Sequence, residues 1–355
     1  MIRKYYMKVR ISIICIAMLA LFSCQGTDAP SDTSCRYADY FDVLTQSDST
    51  SVAVVAISPY NGSRDTLLLD EPLDNIICMS TSQVAGLAEI GADSVITAVS
   101  GLRYVSNPKL YSREVYDIGY EASLDYERIV KLQPDVVLAY TVSGAEPSYI
   151  SKLRSLGIRV LVLHDHLEDH PLARAEYIRL YGALTGRQSV ADSMFYEIAS
   201  RYEQLADEYA SRTDKVKALL NVPYGDAWYI PGADSYMSRL VSDAGGEVLG
   251  AKSGTSISRV ISIEEAYGLS QRADIWLNPG PCSTIDELRS FHHSFHMFGP
   301  VEKGLPVYNN TLRTTPEGGN DFWESGSVRP DLVLNDLINI FSNQDQLLEY
   351  HFQLK

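Results

Sequence analysis

The chain has 355 residues, of which 45% are hydrophobic and 21% are charged, and its formal net charge at pH 7 is −15. A balance this acidic opposes binding to nucleic acid or to an anionic membrane surface, because both of these partners are negatively charged. The five cysteines show neither a disulfide framework nor a metal-site spacing, so the fold must rest on its hydrophobic core.

The first 24 residues, MIRKYYMKVRISIICIAMLALFSC, are typical of a secretory signal. The apolar stretch 11–22 is too short to cross a hydrocarbon core of ~30 Å as a helix. It ends in LFSC, which resembles a bacterial lipobox, and we predict that Cys24 carries a lipid. The alternative is an ordinary signal with an incidental cysteine. Loss of this signal removes four positive charges and no acidic ones, which moves the net charge from −15 to −19.

The rest of the chain is predicted to contain a tether and two lobes. Residues 25–50 are rich in Ser, Thr and Asp and predict a flexible tether. The remaining residues are too many for one compact core of ordinary size. From residue 76, short apolar runs alternate with helical patterns, which predicts parallel strands covered by helices. We assign residues 51–170 to an N-terminal lobe.

The second half repeats this design after a helical interval. Residues 171–212 have almost unbroken helical periodicity and predict a linking helix between the lobes. Alternation resumes over 213–328, the predicted C-terminal lobe, and 329–355 are predicted to form a C-terminal helix and tail. A capped helix followed by an apolar strand occurs in both lobes, as DYERIVKLQPDVVL and as SIEEAYGLSQRADIWL. The sequence therefore predicts two lobes of similar design.

Two longer segments carry a family resemblance. PLDNIICMSTSQVAGLAEIGADSVITAVS combines an apolar strand, a Ser-rich turn, a helix ending in GA and a second strand, and SLDYERIVKLQPDVVLAY follows it. Over about residues 73–341 the chain resembles the periplasmic binding proteins that serve ABC importers of iron chelates and vitamin B12. The resemblance implies the class III α/β fold, in which two Rossmann-like lobes with parallel sheets are joined by a long linking α-helix.

The same resemblance implies a function. It suggests the lipid-anchored substrate-binding component of an ABC importer, which captures an iron chelate (siderophore or haem) or a corrinoid and delivers it to the permease. A monomer without a cofactor is expected, in the periplasm of a Gram-negative cell envelope. The sequence contains no GxSxG elbow, HExxH motif or Gly-rich phosphate loop with lysine, so no enzyme is predicted. The alternatives are a free Zn or Mn carrier and a permease-independent scavenger or enzyme on this fold.

Ligands of such α/β sheets bind at the carboxyl ends of the strands. Aromatic walls suit a bulky chelate, and arginine suits a carboxylate on the ligand. Eight residues are predicted to lie at these ends and to contact ligand: Ser80, Thr81, Tyr104, Tyr120, Tyr224, Trp228, Arg313 and Trp323.

The resemblance also implies docking residues, because family members meet arginines of the permease through one acidic residue in each lobe. Glu146 is the candidate in the first lobe, and Asp286 or Glu287 in the second. Each of these carboxylates also falls at a predicted helix N-terminus, where the helix dipole stabilises negative charge without any partner. A purely structural role is therefore the alternative.

Histidines give a weaker signal for metal. His164, His166 and His170 cluster after the strand VLVL, and His292 and His296 have the spacing of one helical turn, which can bind zinc. No carboxylate completes either group at a diagnostic spacing. We therefore predict solvated histidines and no metal site, and leave a haem ligand from Tyr or His open.

Overall fold

The computed structural model describes residues 35–45, 51–344 and 346–355. The predicted signal, the lipidated Cys24 and most of the predicted tether lie outside these residues. These described residues form one compact unit. Within the described ranges, no helix has both the length and the apolar character needed to span a bilayer.

The described chain begins with a small antiparallel sheet. Its three strands pair in the order β1-β2-β3 and are β1 (Phe41–Thr45), β2 (Val52–Ile57) and β3 (Arg64–Leu69). Phe41 and Val43 point inward and are buried, and the Phe41 ring packs at 4.6 Å from that of Tyr177. This alternation is too short to stand out in a Ser- and Asp-rich region. Residues 35–45 therefore belong to the fold, which corrects the predicted tether of 25–50.

Two buried glutamates hold the segment before β1 by its backbone. Glu176 accepts hydrogen bonds at 2.8, 2.8 and 2.9 Å from three consecutive backbone N–H groups, those of Arg36, Tyr37 and Ala38. Glu168 accepts from the next two backbone N–H groups at 3.0 and 2.9 Å. Burial raises the pKa of Glu168 to about 7. The chain is thus fixed to the body of the protein directly before the first strand.

The N-terminal lobe is a parallel sheet in the order β6-β5-β4-β7-β8. Its strands are β4 (Ile76–Cys78), β5 (Ile96–Val99), β6 (Tyr116–Asp117), β7 (Val136–Tyr140) and β8 (Val160–Leu163). Its helices are α1 (Thr81–Glu89), α2 (Tyr126–Leu132) and α3 (Ser148–Ser155). Strands buried on both faces read as continuous apolar runs, which is why IICM and DVVLAY predicted them. The chain order reverses between β4 and β7, and this switch point is where such sheets form a crevice.

Two consecutive helices follow, α4 (Pro171–Leu184) and α5 (Gln188–Tyr209). They occupy the predicted linking segment, and Gly186 separates them with a left-handed backbone at φ 67°. A side chain there would meet Pro72, since its Cβ would lie 2.7 Å from the ring. Almost every residue of α4 is buried. A helix that is enclosed on all sides belongs to the core between the lobes.

The C-terminal lobe contains a second mostly parallel sheet, in the order β11-β9-β13-β14-β15, and an antiparallel pair of β10 with β12. Only β15 runs antiparallel to its neighbour in the larger sheet. The strands are β9 (Val216–Leu220), β10 (Trp228–Ile230), β11 (Gly246–Val248), β12 (Arg259–Ile261), β13 (Ile275–Leu277), β14 (Val307–Asn309) and β15 (Phe352–Gln353). The helices are α6 (Tyr236–Asp243), α7 (Ile263–Ser270), α8 (Ile285–Phe291) and α9 (Gly299–Glu302).

The chain ends with α10 (Ser325–Val328) and α11 (Pro330–Phe341). The helical spacing predicted α11, and Pro330 stands at its first position. The tail after it returns to the C-terminal lobe as β15, so the last residues are part of that sheet and not a separate tail. One hydrophobic core runs from the first lobe through α4, α5 and α11 into the second. The α/β fold of two Rossmann-like lobes is confirmed.

Candidate ligand-binding site

Two asparagines mark the switch point of the C-terminal sheet. Asn221 follows β9 and Asn278 follows β13, and the two strands are neighbours. Both residues have a left-handed backbone, with φ of 66° and 56°, which asparagine tolerates better than most side chains do. The Trp276 indole donates to the Asn221 carbonyl at 2.8 Å and fixes the turn. The buried Asn278 Oδ1 has no hydrogen-bond partner among the described residues.

A cavity of about 750 Å³ opens at these strand ends. We call it the neutral chamber, because every described residue that lines it is uncharged. Its lining includes four asparagines and two partly exposed aromatic rings, namely Asn221, Asn278, Asn310, Asn320, Tyr229 and Trp323. Each asparagine side chain can both donate and accept hydrogen bonds. The volume lies in the range of small-molecule sites. The chamber can therefore hold a bulky ligand that presents neutral polar groups.

A second cavity of about 620 Å³ lies between the N-terminal lobe and the loop 312–321. We call it the charged chamber, and its charged lining residues are Arg103, Arg313, Glu317 and Asp321. The stretch 314–316 lines both chambers, so the two are contiguous along this wall.

The wall is fixed to the N-terminal lobe by close backbone packing. A Cβ at Gly319 would lie 2.1 Å from the Tyr104 carbonyl oxygen, so only glycine fits there. Beyond the loop, the Glu324 carboxylate accepts backbone hydrogen bonds from Ser106 at 2.7 Å and Asn107 at 3.2 Å. Burial, reinforced by the nearby Asp321 carboxylate, raises the pKa of Glu324 to about 7. This contact joins the two lobes beside the chambers.

Two predicted residues line these chambers as expected from their positions. Trp323 lies in the neutral chamber with 46% of its surface exposed. Arg313 lines the charged chamber, but it forms ion pairs with Asp321 at 2.5 Å and with Glu349. The positive charge of Arg313 is thus already neutralised by the protein.

Tyr104 and Tyr120 come together at the carboxyl ends of β5 and β6. Their ring centroids lie 6.1 Å apart. The Arg103 guanidinium stacks over both rings, at 5.0 Å from Tyr104 and 5.7 Å from Tyr120. Hydrogen bonding to Tyr120 raises the pKa of Arg103. The sequence analysis predicted the two tyrosines but not the arginine. Arg103 could have been found from its position between the end of β5 and the predicted ligand residue Tyr104.

Tyr104 and Tyr120 themselves line neither chamber, and the remaining predicted ligand residues also lie outside both. Ser80 caps α1, where its hydroxyl accepts from the backbone of Ser82 at 3.3 Å, and Thr81 begins that helix. Both stand at the carboxyl end of β4, as predicted, but they line neither chamber. Tyr224 is 85% exposed and also lies outside both chambers.

Trp228 requires a correction, because it is completely buried. Its indole N–H donates to the Leu220 carbonyl at 3.0 Å, and its ring stacks on Phe298 at 5.8 Å. Pairing of β10 with β12 encloses the ring in the aromatic core of the C-terminal lobe. No face of this side chain is left for a ligand.

Glu146, the predicted docking acid of the first lobe, is exposed just before α3. It forms an ion pair with Arg154, and it accepts a hydrogen bond from Ser151 at 2.8 Å. Arg154 also pairs with Asp65 of β3 at 3.0 Å. The small N-terminal sheet therefore contributes to the surface around this carboxylate.

The two candidates in the second lobe differ in their surroundings. The Glu287 carboxylate accepts from the backbone of Ser283 at 2.7 Å, and its own N–H donates to Thr284 at 3.1 Å. These bonds cap α8. The side chain of Asp286 is 88% exposed and forms an ion pair with Arg289 on the next turn, at 2.9 Å. Of the two, Asp286 is the one that a partner can reach.

The histidines do not match the predicted arrangement. His164 is buried, and burial lowers its pKa to about 4. His170 caps α4 by accepting from Leu172 at 3.1 Å, and burial lowers its pKa to about 4 as well. Helix α8 ends at Phe291, so His292 and His296 are not one turn apart on a helix. In the part of the chain that the structure describes, no three His, Cys, Asp or Glu side chains could hold a metal ion together.

A family model described as periplasmic binding protein matches residues 76–283. The chain belongs to the periplasmic binding protein family. The small N-terminal sheet lies before the matched residues.

Solved structures share the fold. The periplasmic vitamin B12 binding protein of Vibrio cholerae has a TM-score of 0.56 at 16% identity, over 78% of this chain and 99% of that one. A periplasmic heme binding protein of Pseudomonas aeruginosa has a TM-score of 0.59 at 18% identity, over 80% of this chain and 98% of that one.

The match to two curated relatives covers a smaller share of each relative's own length. An uncharacterized lipoprotein of Methanocaldococcus jannaschii is 23% identical over 290 residues, which is 77% of this chain and 66% of the relative. A cobalamin-binding protein of Halobacterium salinarum is 24% identical over 231 residues, which is 65% of this chain and 60% of the relative. The chain thus spans less than two thirds of the length of both.

Proposed function

We propose that this protein is the substrate-binding component of an ABC importer, anchored to a membrane through lipid on Cys24 in the periplasm. Its cargo is held between the lobes and handed to the permease without catalysis. Among iron chelates and corrinoids, we propose that a corrinoid is the cargo. The observation that carries this choice is the uncharged, asparagine-rich lining of the neutral chamber.

The argument for a corrinoid is one of chemical complementarity. A corrin ring carries amide side chains around its edge, and amides both donate and accept hydrogen bonds, as the four asparagines do. A haem carries carboxylates, and many ferric siderophores are anionic. Burying such charges against a neutral lining leaves them unpaired and is costly. The partly exposed rings of Tyr229 and Trp323 supply flat apolar contacts for a macrocycle.

Some relatives support the same cargo. The Halobacterium salinarum relative is named for cobalamin, and the Vibrio cholerae structure is named for vitamin B12. The Pseudomonas aeruginosa structure is named for heme, so the fold alone does not choose the ligand. For haem an axial histidine or tyrosine is needed. Among the described residues no histidine lines either chamber, whereas Tyr229 lines the neutral chamber and Tyr111 the charged one, so the choice of a corrinoid over haem rests on the uncharged lining.

Delivery requires docking, for which we propose Glu146 and Asp286. Asp286 is favoured over Glu287 because its carboxylate is highly exposed and takes no part in capping α8. Glu146 is paired with Arg154, so a permease arginine has to replace Arg154 as its partner. Such an exchange between exposed ion pairs changes the free energy little.

A thermal-shift panel tests the proposal. The chain of residues 25–355 is suitable, because it retains β1 and omits the signal and Cys24. The ligands are cyanocobalamin, haemin, ferrichrome and Zn²⁺ alone. A ligand that binds only the folded state, at 100 times its Kd, adds about 2.7 kcal/mol to the free energy of unfolding.

Each outcome of the panel is informative. Stabilisation by cyanocobalamin alone supports both the importer component and the cargo. If haemin or ferrichrome is the only stabilising ligand, chelate capture stands and the corrinoid assignment fails. Stabilisation by Zn²⁺ alone, or by none of the four, contradicts the proposed function.

A further inference from the structure

Among the described residues that line the charged chamber, Arg103 is a cation that no carboxylate neutralises. Arg103 is exposed in this chamber, and in the described part of the chain no carboxylate oxygen lies within 4.0 Å of its guanidinium. The other arginine of the chamber, Arg313, already pairs with Asp321 and Glu349. In a chain as acidic as this one, an unpaired arginine in a cavity between two lobes requires an explanation.

The backbone around Arg103 forms a fixed platform. Asp117 Oδ1 accepts the backbone N–H groups of Gly101 at 3.1 Å and Gly119 at 2.9 Å, which ties together the turns after β5 and β6. Gly101 has φ 71°, and a Cβ there would lie 2.8 Å from the Tyr120 ring. These contacts hold the turn that carries Arg103 beside the charged chamber.

Two aromatic rings position the Arg103 side chain. Its guanidinium lies over the rings of Tyr104 and Tyr120, at 5.0 and 5.7 Å from their centroids. Stacking on an aromatic face immobilises a guanidinium while leaving N–H groups at its edge free to donate. Less side-chain entropy is then lost when a ligand binds. This is the arrangement of a pre-organised anion receptor.

We infer that Arg103 binds an anionic oxygen group of the cargo, a phosphodiester or a carboxylate, in the charged chamber while the body of the cargo fills the neutral chamber. This inference rests on the proposed function. The two chambers share the wall 314–316, so one ligand can reach both. Guanidinium groups pair with phosphate and carboxylate through two parallel hydrogen bonds.

The charge pattern of the chamber yields a second expectation. Glu317 lines the same cavity and carries a negative charge that repels an anion. The substitution Glu317→Gln should therefore tighten binding of an anionic group, whereas Arg103→Gln should weaken it. Opposite effects from two residues of one chamber are not expected if either change merely loosens the fold.

The test compares two corrinoids that differ in the anion. Cyanocobalamin has a nucleotide loop with a phosphodiester, and dicyanocobinamide has the same amide-bearing corrin without it. Their Kd values are measured by calorimetry for the chain of residues 25–355, as wild type and as Arg103→Gln, Arg103→Lys and Glu317→Gln. Arg128→Gln is the matched control, since Arg128 stacks on Tyr116 at 4.8 Å outside both chambers.

Arg103→Gln should weaken cyanocobalamin binding on the order of tenfold to a hundredfold, the range for a charged hydrogen bond, and leave dicyanocobinamide within about twofold. Arg103→Lys should retain part of the affinity for cyanocobalamin, and Arg128→Gln should leave the Kd of both corrinoids unchanged. Equal losses for both corrinoids, or no loss for either, overturn the role of Arg103 while the proposed function stands.

Haemin and its dimethyl ester provide the corresponding test if the cargo is haem. If the wild type binds haemin and no corrinoid, Arg103→Gln should weaken haemin and spare its dimethyl ester, which identifies a carboxylate as the anion. Equal effects on haemin and its ester contradict the inference. If the wild type binds none of these ligands, the proposed function fails, and this inference fails with it.

Discussion

Replacing Glu324 with glutamine should change how the free energy of unfolding depends on pH. Glu324 is 2% exposed and joins the lobes through the backbone of Ser106 and Asn107. Burial raises its pKa from 4.5 to about 7, since the charged form loses water that two hydrogen bonds do not fully replace. The folded protein therefore keeps this proton through a pH range in which the unfolded chain has released it.

The sign and size follow from proton linkage. Below pH 4.5 both states hold the proton, and the contribution to stability is complete. As the pH rises to about 7, the unfolded chain gains from releasing the proton, and the free energy of unfolding falls by about 3 kcal/mol. Glu324→Gln removes this group, so the free energy of unfolding of the wild type minus that of the variant should fall by that amount between the two pH values.

Urea unfolding of the two proteins at several pH values between 4 and 8 provides the measurement. Taking the difference between them cancels other titrating groups, including Glu168, whose pKa is also raised to about 7. Glu208→Gln, an exposed change on α5, is the control and should leave the pH dependence as in the wild type. A difference between wild type and Glu324→Gln that stays flat across this range refutes the buried, ionisable contact between the lobes.

Two further predictions concern strand β1 and the packing of Gly319 against Tyr104, neither of which was predicted from the sequence. Phe41→Ala should lower the free energy of unfolding by about 3–5 kcal/mol in a urea titration, because the ring is buried under β1, while Leu44→Ala, at an exposed position, should change it by less than about 0.5 kcal/mol. Similar small effects would show that β1 is not part of the fold. Gly319→Ala should weaken cargo binding in calorimetry, because its Cβ has to displace the wall from Tyr104, and unchanged affinity would contradict this packing.

Much of the architecture could be predicted because local signals agreed with the tertiary structure. The continuous apolar runs at 76–78 and 136–140 form parallel strands, and Ser80 and Ser262 cap the helices that they were expected to begin. The interruption at Gly186 falls where the helical pattern breaks. These features depend on neighbours in sequence, so periodicity and capping residues reveal them.

Features that depend on distant partners could not be predicted in this way. Phe41 is buried because its ring packs against Tyr177, and nothing in the sequence of the short strand β1 indicates that partner. Trp228 was predicted to lie in the cleft, but the pairing of its strand β10 with β12, about thirty residues further along the chain, encloses its side chain. Asn221 and Asn278 resemble ordinary turn residues, and only the sheet order brings them to one chamber.

Arg103 shows the same limit for the site itself. Its neighbour Tyr104 was selected for its aromatic ring, whereas the value of the arginine depends on Tyr120 and on the loop 312–321. Whether a cation is free or neutralised is set by side chains far away in sequence, as Arg313 illustrates with Glu349. Sequence reasoning therefore found the region of the site more readily than its electrostatics.

The most direct test of the central claim, that cargo occupies the neutral chamber at the strand ends of the C-terminal lobe, is a calorimetric titration of cyanocobalamin into Trp323→Ala and Tyr224→Ala variants. Trp323 lines the chamber, and Tyr224, also exposed, lies outside both chambers. The account predicts that Trp323→Ala weakens binding at least about tenfold, through loss of a stacked ring, and that Tyr224→Ala leaves the Kd within about twofold. Equal affinity of the two variants, or a loss confined to Tyr224→Ala, would contradict it.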